Sequence, residues 1–301
     1  AASAGGAGGA GFGSNPMGVH ALVWAGDWSE ESCKRAVEQT VRLGYDLVEI
    51  PLLDPSSVDA AMTRRYLEES GIRATTSLGL QVDADISSAD AGVAARGEEL
   101  LEQALAASAA MGSEYMVGVL YSALAKYPGP PTEQGLVNCA AALNRLAAKA
   151  ADQGITLGLE VVNRYETNVL NTAAQAMDML ERVGSTNVMV HLDSYHMHIE
   201  EAGLAQAVGV CGERLGYVHI GESNRGYLGS GNIDWPQLFR ALAKADYGGP
   251  ITFESFSSEV VSPTLSNTLC VWRNLWDDSE DLARQAKIFM DAHIAAAARA
   301  D

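Results

Sequence analysis

The amino-acid sequence predicts an α/β protein whose single domain is a closed (β/α)8 barrel, the TIM-barrel architecture. From Met17 onwards, eight short runs typical of β-strands alternate with eight longer amphipathic stretches typical of helices. Most of the predicted helices end beside a glycine, which suits a left-handed C-cap. Four metal-type side chains stand at the ends of four successive predicted strands. Alternation of this kind predicts a parallel sheet that is covered by helices.

The predicted elements follow one another in a regular order. The strands span residues 18–24, 47–50, 73–78, 115–119, 156–161, 188–193, 215–220 and 250–254. The helices span residues 30–43, 59–70, 90–111, 133–153, 173–183, 202–211, 235–245 and 278–298. A length of 301 residues suits one large domain or two small ones, and the unbroken alternation favours one.

Glu160, Asp193, His219 and Glu254 decide between the closed barrel and its alternative, an open doubly wound sheet. They are separated by 33, 26 and 35 residues, and each interval fits one strand–helix–strand repeat. Strand ends five to eight meet at one mouth only if the sheet closes, because on an open sheet they lie too far apart. We therefore predict a barrel that carries its chemistry at the carboxyl ends of the strands.

The side chains two positions before these four share their face of each strand, so they should point inward beneath them. They are Gly158, His191, Tyr217 and Thr252. All are small or polar rather than branched and aliphatic. That composition fits the floor of a site better than an ordinary barrel core.

Charge and cysteine content exclude several classes of protein. The chain has 20 basic and 38 acidic residues, a net charge of −18, which favours solubility and repels nucleic acid and anionic membranes. No apolar run approaches the roughly 18 residues of a membrane span. The four cysteines form no CxxC pair, so no disulfide is required and a cytoplasmic location is expected.

Residues 1–16 (AASAGGAGGAGFGSNP) are of low complexity and lack the basic start and apolar core of a signal peptide. We interpret them as a flexible leader or a remnant of cloning. We expect the native chain to start at Met17 and the catalytic domain to span residues 17–301.

Three carboxylates and one imidazole that converge at a barrel mouth would repel each other unless a cation lay among them. Such an oxygen-rich set with a single nitrogen suits Mn²⁺, Mg²⁺ or Co²⁺ better than a structural zinc ion. The alternative for each acid is a helix cap or an ion pair. That alternative is weaker for four strand ends in consecutive repeats, so the sequence predicts a metalloenzyme.

The position of the two glutamates restricts the chemistry further. Glu160 and Glu254 follow strands five and eight, with two strands between them, so they would flank a substrate held at the metal. Inversion at an acidic C–H needs one carboxylate to remove the proton and another to return it from the opposite face. An aldose–ketose isomerase works on one face with one base, so the arrangement favours epimerisation.

Several motifs resemble those of the ketose 3-epimerases, which act on D-tagatose, D-allulose or L-ribulose. They are LEVVNRYETNVLN at 159–171, HLDSYHMHIEE, VHIGESNRGYLGSG and ITFESFSSEVVSP, with LVW near Trp24 and WRNLW at 272–276. The resemblance extends through essentially the whole chain from Met17. It implies a (β/α)8 barrel that binds one Mn²⁺, Co²⁺ or Mg²⁺ per subunit, with Mn²⁺ the expected ion. It also implies a homodimer or homotetramer and a small free ketose as substrate.

The resemblance also implies the roles of individual residues. Glu160, Asp193, His219 and Glu254 would bind the metal, and the two glutamates would also form the acid/base pair. Three further residues, Glu166, His196 and Arg225, would hold the substrate around O1 and O2.

Each of these last three residues has an alternative on sequence alone. Glu166 follows Arg164 and could form a surface ion pair with it. His196 could be a structural loop histidine. Arg225 lies in a Gly/Ser/Asn-rich loop after strand seven, where barrels often bind phosphate, so it could hold a phosphorylated sugar. The acidic balance and the resemblance favour a neutral sugar.

Other conspicuous residues have structural interpretations. His191 is expected to support the ligands rather than to be one. Trp24 and Trp28 could form an apolar wall against the sugar or pack in the core. Trp272 and Trp276 have helical i, i+4 spacing, which predicts packing.

The sequence thus predicts a divalent-metal ketose 3-epimerase in which a metal chelates O2 and O3 of the sugar. Glu160 and Glu254 would exchange the C3 proton through a cis-enediolate. Alternatives are an aldose–ketose isomerase or inosose dehydratase on the same barrel, a metal-dependent endonuclease, and a sugar-binding protein without catalysis. An endonuclease would need more histidines and a basic groove, and a binding protein would not need flanking carboxylates.

Overall fold

A closed barrel of eight parallel strands, in the order β1 to β8, forms the centre of the computed structural model, which describes residues 11–299. The strands are β1 Met17–His20, β2 Leu47–Pro51, β3 Arg73–Leu80, β4 Tyr115–Ala123, β5 Thr156–Glu160, β6 Val188–Asp193, β7 Leu215–Ile220 and β8 Ile251–Phe253. Pairing of β1 with both β2 and β8 closes the sheet. The predicted fold class, a single-domain (β/α)8 barrel, is confirmed.

Eight helices surround the barrel within the described residues, and two shorter ones lie in loops at the carboxyl ends of the strands. They are α1 Glu30–Arg42, α2 Ala60–Ser70, α3 Ala91–Met111, α4 Glu133–Asp152, α5 Ala173–Val183, α6 Ser194–Glu200, α7 Leu204–Cys211, α8 Trp235–Lys244, α9 Pro263–Thr268 and α10 Ser279–Ala297. The short helices are α6 and α9. The other eight agree with the predicted helices to within two residues at each end.

Side-chain caps explain where the helices begin and end. Thr172 begins α5 with a capping box, in which its hydroxyl accepts from the Gln175 backbone and the Gln175 side chain accepts from the backbone of Thr172. Gly184 ends the same helix at φ 69°, a left-handed conformation that glycine adopts without a steric penalty. The capping box and the terminal glycine thus explain the observed bounds of α5.

The first strand is shorter than predicted. It ends at His20, and Ala21–Val23 form a 3-10 turn because Nδ1 of His20 accepts a hydrogen bond from the backbone N–H of Leu22. The turn aims the His20 side chain into the mouth of the barrel. The prediction of a strand that extends to residue 24 is therefore wrong.

The WRNLW segment is not helical, although its two tryptophans have i, i+4 spacing. Residues 271–278 are irregular, and α10 begins after them. Trp276 is buried and donates its indole N–H to Oγ of Ser255 at 2.8 Å, whereas Trp272 is 70% exposed. The predicted packing is therefore confirmed for Trp276 and wrong for Trp272.

The barrel interior carries polar layers below the mouth. The Tyr217 hydroxyl lies 2.8 Å from Thr75 Oγ1 and 2.9 Å from Thr252 Oγ1, and His191 is fully buried beside it. At Gly158 a Cβ would lie 2.7 Å from a methyl group of Val117, so this position requires glycine. The predicted inward floor of small and polar residues is confirmed.

The cysteines and the hydropathy of the helices agree with the sequence analysis. Cys33, Cys139 and Cys211 are buried in helices, and Cys270 is exposed; all four are free thiols. Within residues 11–299, no helix combines the length and apolar character that crossing a membrane requires.

Residues 11–16 contact the end of the barrel opposite the mouth. The Asn15 side chain donates to the backbone carbonyls of Tyr247 at 2.7 Å and Gly249 at 2.9 Å, and the Phe12 N–H donates to Asp246. Residues 1–10 of the predicted leader lie outside the described residues. The domain division at Met17 remains a prediction.

We expect Asn15→Ala to lower the free energy of unfolding by about 1–3 kcal/mol, because it leaves two partly buried carbonyls without their donor. Denaturant unfolding followed by circular dichroism measures this change. The matched control is Ser14→Ala at the exposed neighbouring position. Equal free energies of unfolding for the two variants would show that the hydrogen bonds of Asn15 do not stabilise the barrel.

Candidate active site

Four strands bring Glu160, Asp193, His219 and Glu254 together at the carboxyl end of the barrel. One ligand atom from each lies within 4.8 Å of the others. Nδ1 of His219 lies 3.2 Å from Glu254, 3.6 Å from Glu160 and 3.7 Å from Asp193. The predicted convergence of strand ends five to eight is therefore observed in the structure.

The unsatisfied atoms of this cluster test whether a cation fits it. Oδ2 of Asp193 and Nδ1 of His219 are buried and have no hydrogen-bond partner among the described residues. Buried polar atoms without partners are rare, and an ion is one recognised cause. Three carboxylates and one imidazole are suitable ligands for a hard or borderline divalent cation. The residues therefore fit such an ion.

The two flanking glutamates have opposite electrostatic surroundings. Burial, together with the charges of Glu254 and Asp193, raises the pKa of Glu160 to about 8, and His219 only partly offsets these effects. Burial also acts to raise the pKa of Glu254, but His219 and Arg225 outweigh it and hold that pKa below its ordinary value. A cation among these groups would favour both ionised forms.

Glu166 lies in the same cavity and not on the surface beside Arg164. Its Oε1 accepts a hydrogen bond from the Asn163 side chain at 2.9 Å, and burial raises the pKa of its carboxyl. Arg164 pairs instead with Glu200, with Nη2 2.9 Å from Oε2. The ion-pair alternative for Glu166 is wrong because the turn after β5 directs the two side chains apart.

The hydrogen bonds of His196 fix its tautomer. Nδ1 accepts from the backbone N–H of Asn163 at 3.0 Å, so in the neutral ring Nε2 carries the proton. Burial lowers the pKa of this imidazole to about 3, which keeps it neutral at pH 7. Nη2 of Arg225, also a donor, lies 3.2 Å from Nε2. Two donors this close would both be satisfied by one oxygen of a bound molecule.

His196 belongs to α6, which Asp193 begins by accepting from the Tyr195 N–H at 2.7 Å.

The Arg225 guanidinium is held tightly beside the cluster. It donates to Glu254 at 2.9 Å and lies over the rings of Tyr195 and Phe256, 3.9 and 4.9 Å from their centroids. Its backbone is in the left-handed region at φ 62°. Because non-glycine residues rarely adopt this conformation, the surrounding loop must impose it.

Glu222 organises the loop that carries Arg225. Its fully buried carboxylate accepts from the backbone N–H groups of Ser223 and Gly229, both at 2.8 Å, and from the Trp235 indole at 3.1 Å. Its backbone carbonyl accepts from the Arg225 N–H at 2.9 Å. Sequence analysis did not identify Glu222, since its role depends on contacts across the loop.

A cavity of about 600 Å³ opens above the cluster and contains the predicted substrate residues. Its charged side chains belong to the cluster and its immediate neighbours, and apolar side chains, including Leu22 and Phe256, contribute to its other walls. His20 and Glu49 also line it, and the sequence analysis missed both. A signal existed for His20, which is the last residue of β1, whereas Glu49 lies in the middle of β2.

Of the two tryptophans near strand one, Trp24 is buried in the core and Trp28 is half-buried against it. Neither is among the described residues that line the cavity. The Trp24 indole donates to Thr40 at 3.2 Å and that of Trp28 donates to Thr63 at 3.0 Å. Of the two alternatives for these tryptophans, packing against the core is the one observed. The 3-10 turn after His20 directs Leu22, rather than Trp24, toward the cavity.

A closed barrel with clustered carboxylates and an imidazole at its mouth defines an enzyme of the TIM-barrel class. Comparison with known proteins specifies the family. The model of the xylose isomerase-like TIM barrel family matches residues 37–293. An L-ribulose 3-epimerase from Methylomonas sp. (strain DH-1) is 54% identical over 273 residues, which cover 91% of this chain and 96% of that protein.

Two further comparisons also identify ketose 3-epimerases as similar proteins. A ketose 3-epimerase from Arthrobacter globiformis is 48% identical over 274 residues, covering 91% of this chain and 95% of that protein. The crystal structure of a D-allulose 3-epimerase from Methylomonas sp. in complex with D-allulose has a TM-score of 0.91 and 52% identity, covering 95% of this chain and 98% of that chain. The chain therefore belongs to the xylose isomerase-like TIM barrel family and, within it, to the ketose 3-epimerases.

We expect Glu222→Gln to lower the free energy of unfolding by about 1–3 kcal/mol, because the amide group places a donor against N–H groups that now bind a carboxylate. Denaturant unfolding measures the change. Glu133→Gln, which removes an exposed ion pair with Arg182, is the control and should change stability by only about 0–1 kcal/mol. Similar values for the two variants would contradict the anchoring role of Glu222.

Proposed function

We propose that the chain is a divalent-metal-dependent epimerase that interconverts free ketoses at C3, with Glu160 and Glu254 as its acid/base pair. The cluster at the barrel mouth carries this proposal, because two glutamates from β5 and β8 flank Asp193 and His219 beneath a cavity large enough for a ketose. The named activities of the relatives support the substrate class. The expected interconversions are D-tagatose with D-sorbose, D-fructose with D-allulose, and L-ribulose with L-xylulose.

The metal would be held by Glu160, Asp193, His219 and Glu254. When bound, it supplies a Lewis acid that polarises the ketose carbonyl and makes the neighbouring C3–H acidic. Mn²⁺ is the proposed ion, with Co²⁺ or Mg²⁺ as alternatives, because the four residues offer oxygen atoms and a single nitrogen.

The two glutamates would divide the proton transfer between the faces of the sugar. One carboxylate takes the proton from C3, and the electrons of the broken C–H bond form the C2–C3 double bond of a cis-enediolate. The other carboxylic acid then delivers a proton to the opposite face of C3, which inverts its configuration. The configuration of the substrate decides which glutamate acts first, and the roles exchange in the reverse reaction.

Three further residues would hold the sugar around O1 and O2. Nε2–H of His196 and the guanidinium of Arg225 point to a common space and can both donate to one sugar oxygen. Glu166 offers acceptor oxygens at the same end of the cavity. The pairing of Arg225 with Glu254 leaves its charge partly neutralised, which favours a sugar hydroxyl over a phosphate.

The proposal extends to the oligomeric state of the protein and to its location in the cell. The resemblance to the ketose 3-epimerases favours a homodimer or homotetramer. Free thiols at all four cysteines and the acidic balance of the chain favour the cytoplasm, without nucleic acid or membrane as a partner.

Incubation of D-fructose, D-tagatose and L-ribulose in D₂O with Mn²⁺ should give the C3 epimers with deuterium at C3, because the proton returned to C3 comes from exchangeable carboxyl groups. NMR of the sugars measures both products and label. An EDTA-treated sample should show neither. Deuterium at C1 or C2 with an aldose product would indicate an isomerase, and a deoxy-ketone would indicate a dehydratase.

Glu160→Gln and Glu254→Gln should each reduce kcat by roughly 10²–10⁴-fold, because each removes one of two groups that exchange the proton. Steady-state kinetics with saturating Mn²⁺, together with Mn²⁺ binding by equilibrium dialysis, separates loss of proton transfer from loss of metal. Glu133→Gln on the surface of α4 serves as the control and should retain full activity. Full activity in either site variant would rule out the two-carboxylate mechanism.

A further inference from the structure

Glu49 makes a hydrogen bond of 2.7 Å to His219, the imidazole of the metal-type cluster. It lies in the middle of β2, from which β7 is separated by β1 and β8, and its side chain is fully buried. Oε2 lies 2.7 Å from Nε2 of His219 and 2.8 Å from the hydroxyl of Tyr217. The carboxylate thus reaches across the barrel axis to the back of a predicted ligand.

The direction of these hydrogen bonds follows from the groups involved. Oε2 of Glu49 accepts a hydrogen bond from the Tyr217 hydroxyl at 2.8 Å, and Nε2 of His219 lies 2.7 Å from the same oxygen. A carboxylate oxygen that accepts in this way pairs with a nitrogen that donates, so Nε2 of His219 carries a proton. In a neutral imidazole the lone pair is then on Nδ1, the atom that faces Glu160, Asp193 and Glu254.

The floor of the barrel holds Glu49 in this position. The Tyr217 hydroxyl has one proton and donates it to Glu49, so the hydroxyls of Thr75 and Thr252 must donate to the Tyr217 oxygen. Nδ1 of His20 accepts from Leu22, and its Nε2 lies 3.4 Å from Oε1 of Glu49, an oxygen that has no hydrogen-bond partner among the described residues. The buried hydrogen bonds through Tyr217 therefore hold the carboxylate toward His219.

We propose that Glu49 is a positioning residue of the metal centre, which fixes His219 as the Nε2–H tautomer and directs Nδ1 toward the ion. The inference rests on the metal site of the proposed function. Carboxylates that accept from the distal nitrogen of a ligating histidine orient the ring and make it a stronger ligand. Glu49 does not touch the reacting atoms in this role; it acts through His219.

The first test is Mn²⁺ binding by equilibrium dialysis to metal-stripped protein. Glu49→Leu, which removes the acceptor at nearly constant volume, should weaken Mn²⁺ binding by about 10–100-fold. Glu49→Gln retains one acceptor oxygen and should recover part of that loss. A merely structural role would instead give equal metal affinity in all three proteins once each is folded.

Asp85→Asn is the matched control for loss of a buried carboxylate. Asp85, on the loop after β3, accepts hydrogen bonds from Ser87 on the same loop and from Tyr127 on the loop after β4. It is buried and does not contact the cluster. Its substitution should lower stability without changing Mn²⁺ affinity. Unchanged affinity in Glu49→Leu, with wild-type protein binding Mn²⁺, would overturn the role of Glu49 and leave the proposed function intact.

The second test uses wild-type protein and so does not depend on whether a variant folds. In ¹⁵N-histidine-labelled protein loaded with diamagnetic Mg²⁺, the imidazole of His219 should show a proton on Nε2 and none on Nδ1. A proton on Nδ1 would overturn the inference. If wild-type protein binds neither Mn²⁺ nor Mg²⁺, the proposed metal dependence fails first, and the role of Glu49 fails with it.

Discussion

The convergence of buried carboxylates on one imidazole is the constraint on which the rest of the structure depends. Glu160, Asp193 and Glu254 surround Nδ1 of His219, and Glu49 faces its other nitrogen. Four carboxylates around one ring would be unstable in a low-dielectric interior unless positive charge balanced them. Arg225 supplies one such charge, and the unsatisfied ligand atoms indicate where a cation would supply the rest.

Barrel closure makes this concentration of charge possible. Each acid comes from a different strand, and the register that places Asp193 opposite His219 also places Glu160 opposite His191 one layer lower. Backbone hydrogen bonds between strands therefore fix the separations, rather than flexible loops. The hydroxyl groups of Tyr217, Thr75 and Thr252 form a polar layer beneath, so the cluster does not rest directly on an aliphatic core.

Much of the fold and of the cluster could be predicted because both depend on local patterns. The helix bounds followed from amphipathic periodicity and from glycines at the helix ends, and the four cluster residues followed from strand ends at regular intervals. The features that were missed depend on contacts between distant segments. Strand β1 ends early because His20 caps the next turn, and Glu49 acquires its role only when β2 and β7 face each other across a closed barrel.

The loops after the strands were the least predictable part of the site. Asp193 is both a cluster residue and the cap that begins α6, so the DSYHMH motif forms a helix and His196 is held in a fixed orientation. Arg225 adopts a left-handed backbone that its residue type does not favour, because Glu222 holds the surrounding loop. No pattern of spacing or hydropathy in the sequence indicates either effect.

The enclosure of the two flanking glutamates has a kinetic consequence under the two-carboxylate mechanism. Each turnover leaves the glutamate that took the C3 proton protonated and the glutamate that donated a proton ionised, so the protein that releases product differs from the protein that bound substrate. Their side chains are only 12% and 8% exposed, so water must enter before the original state returns. After product release, the protonation state of the two glutamates thus still depends on which epimer was formed. Return of the protons to their original positions, with no sugar bound, is then a step of every catalytic cycle.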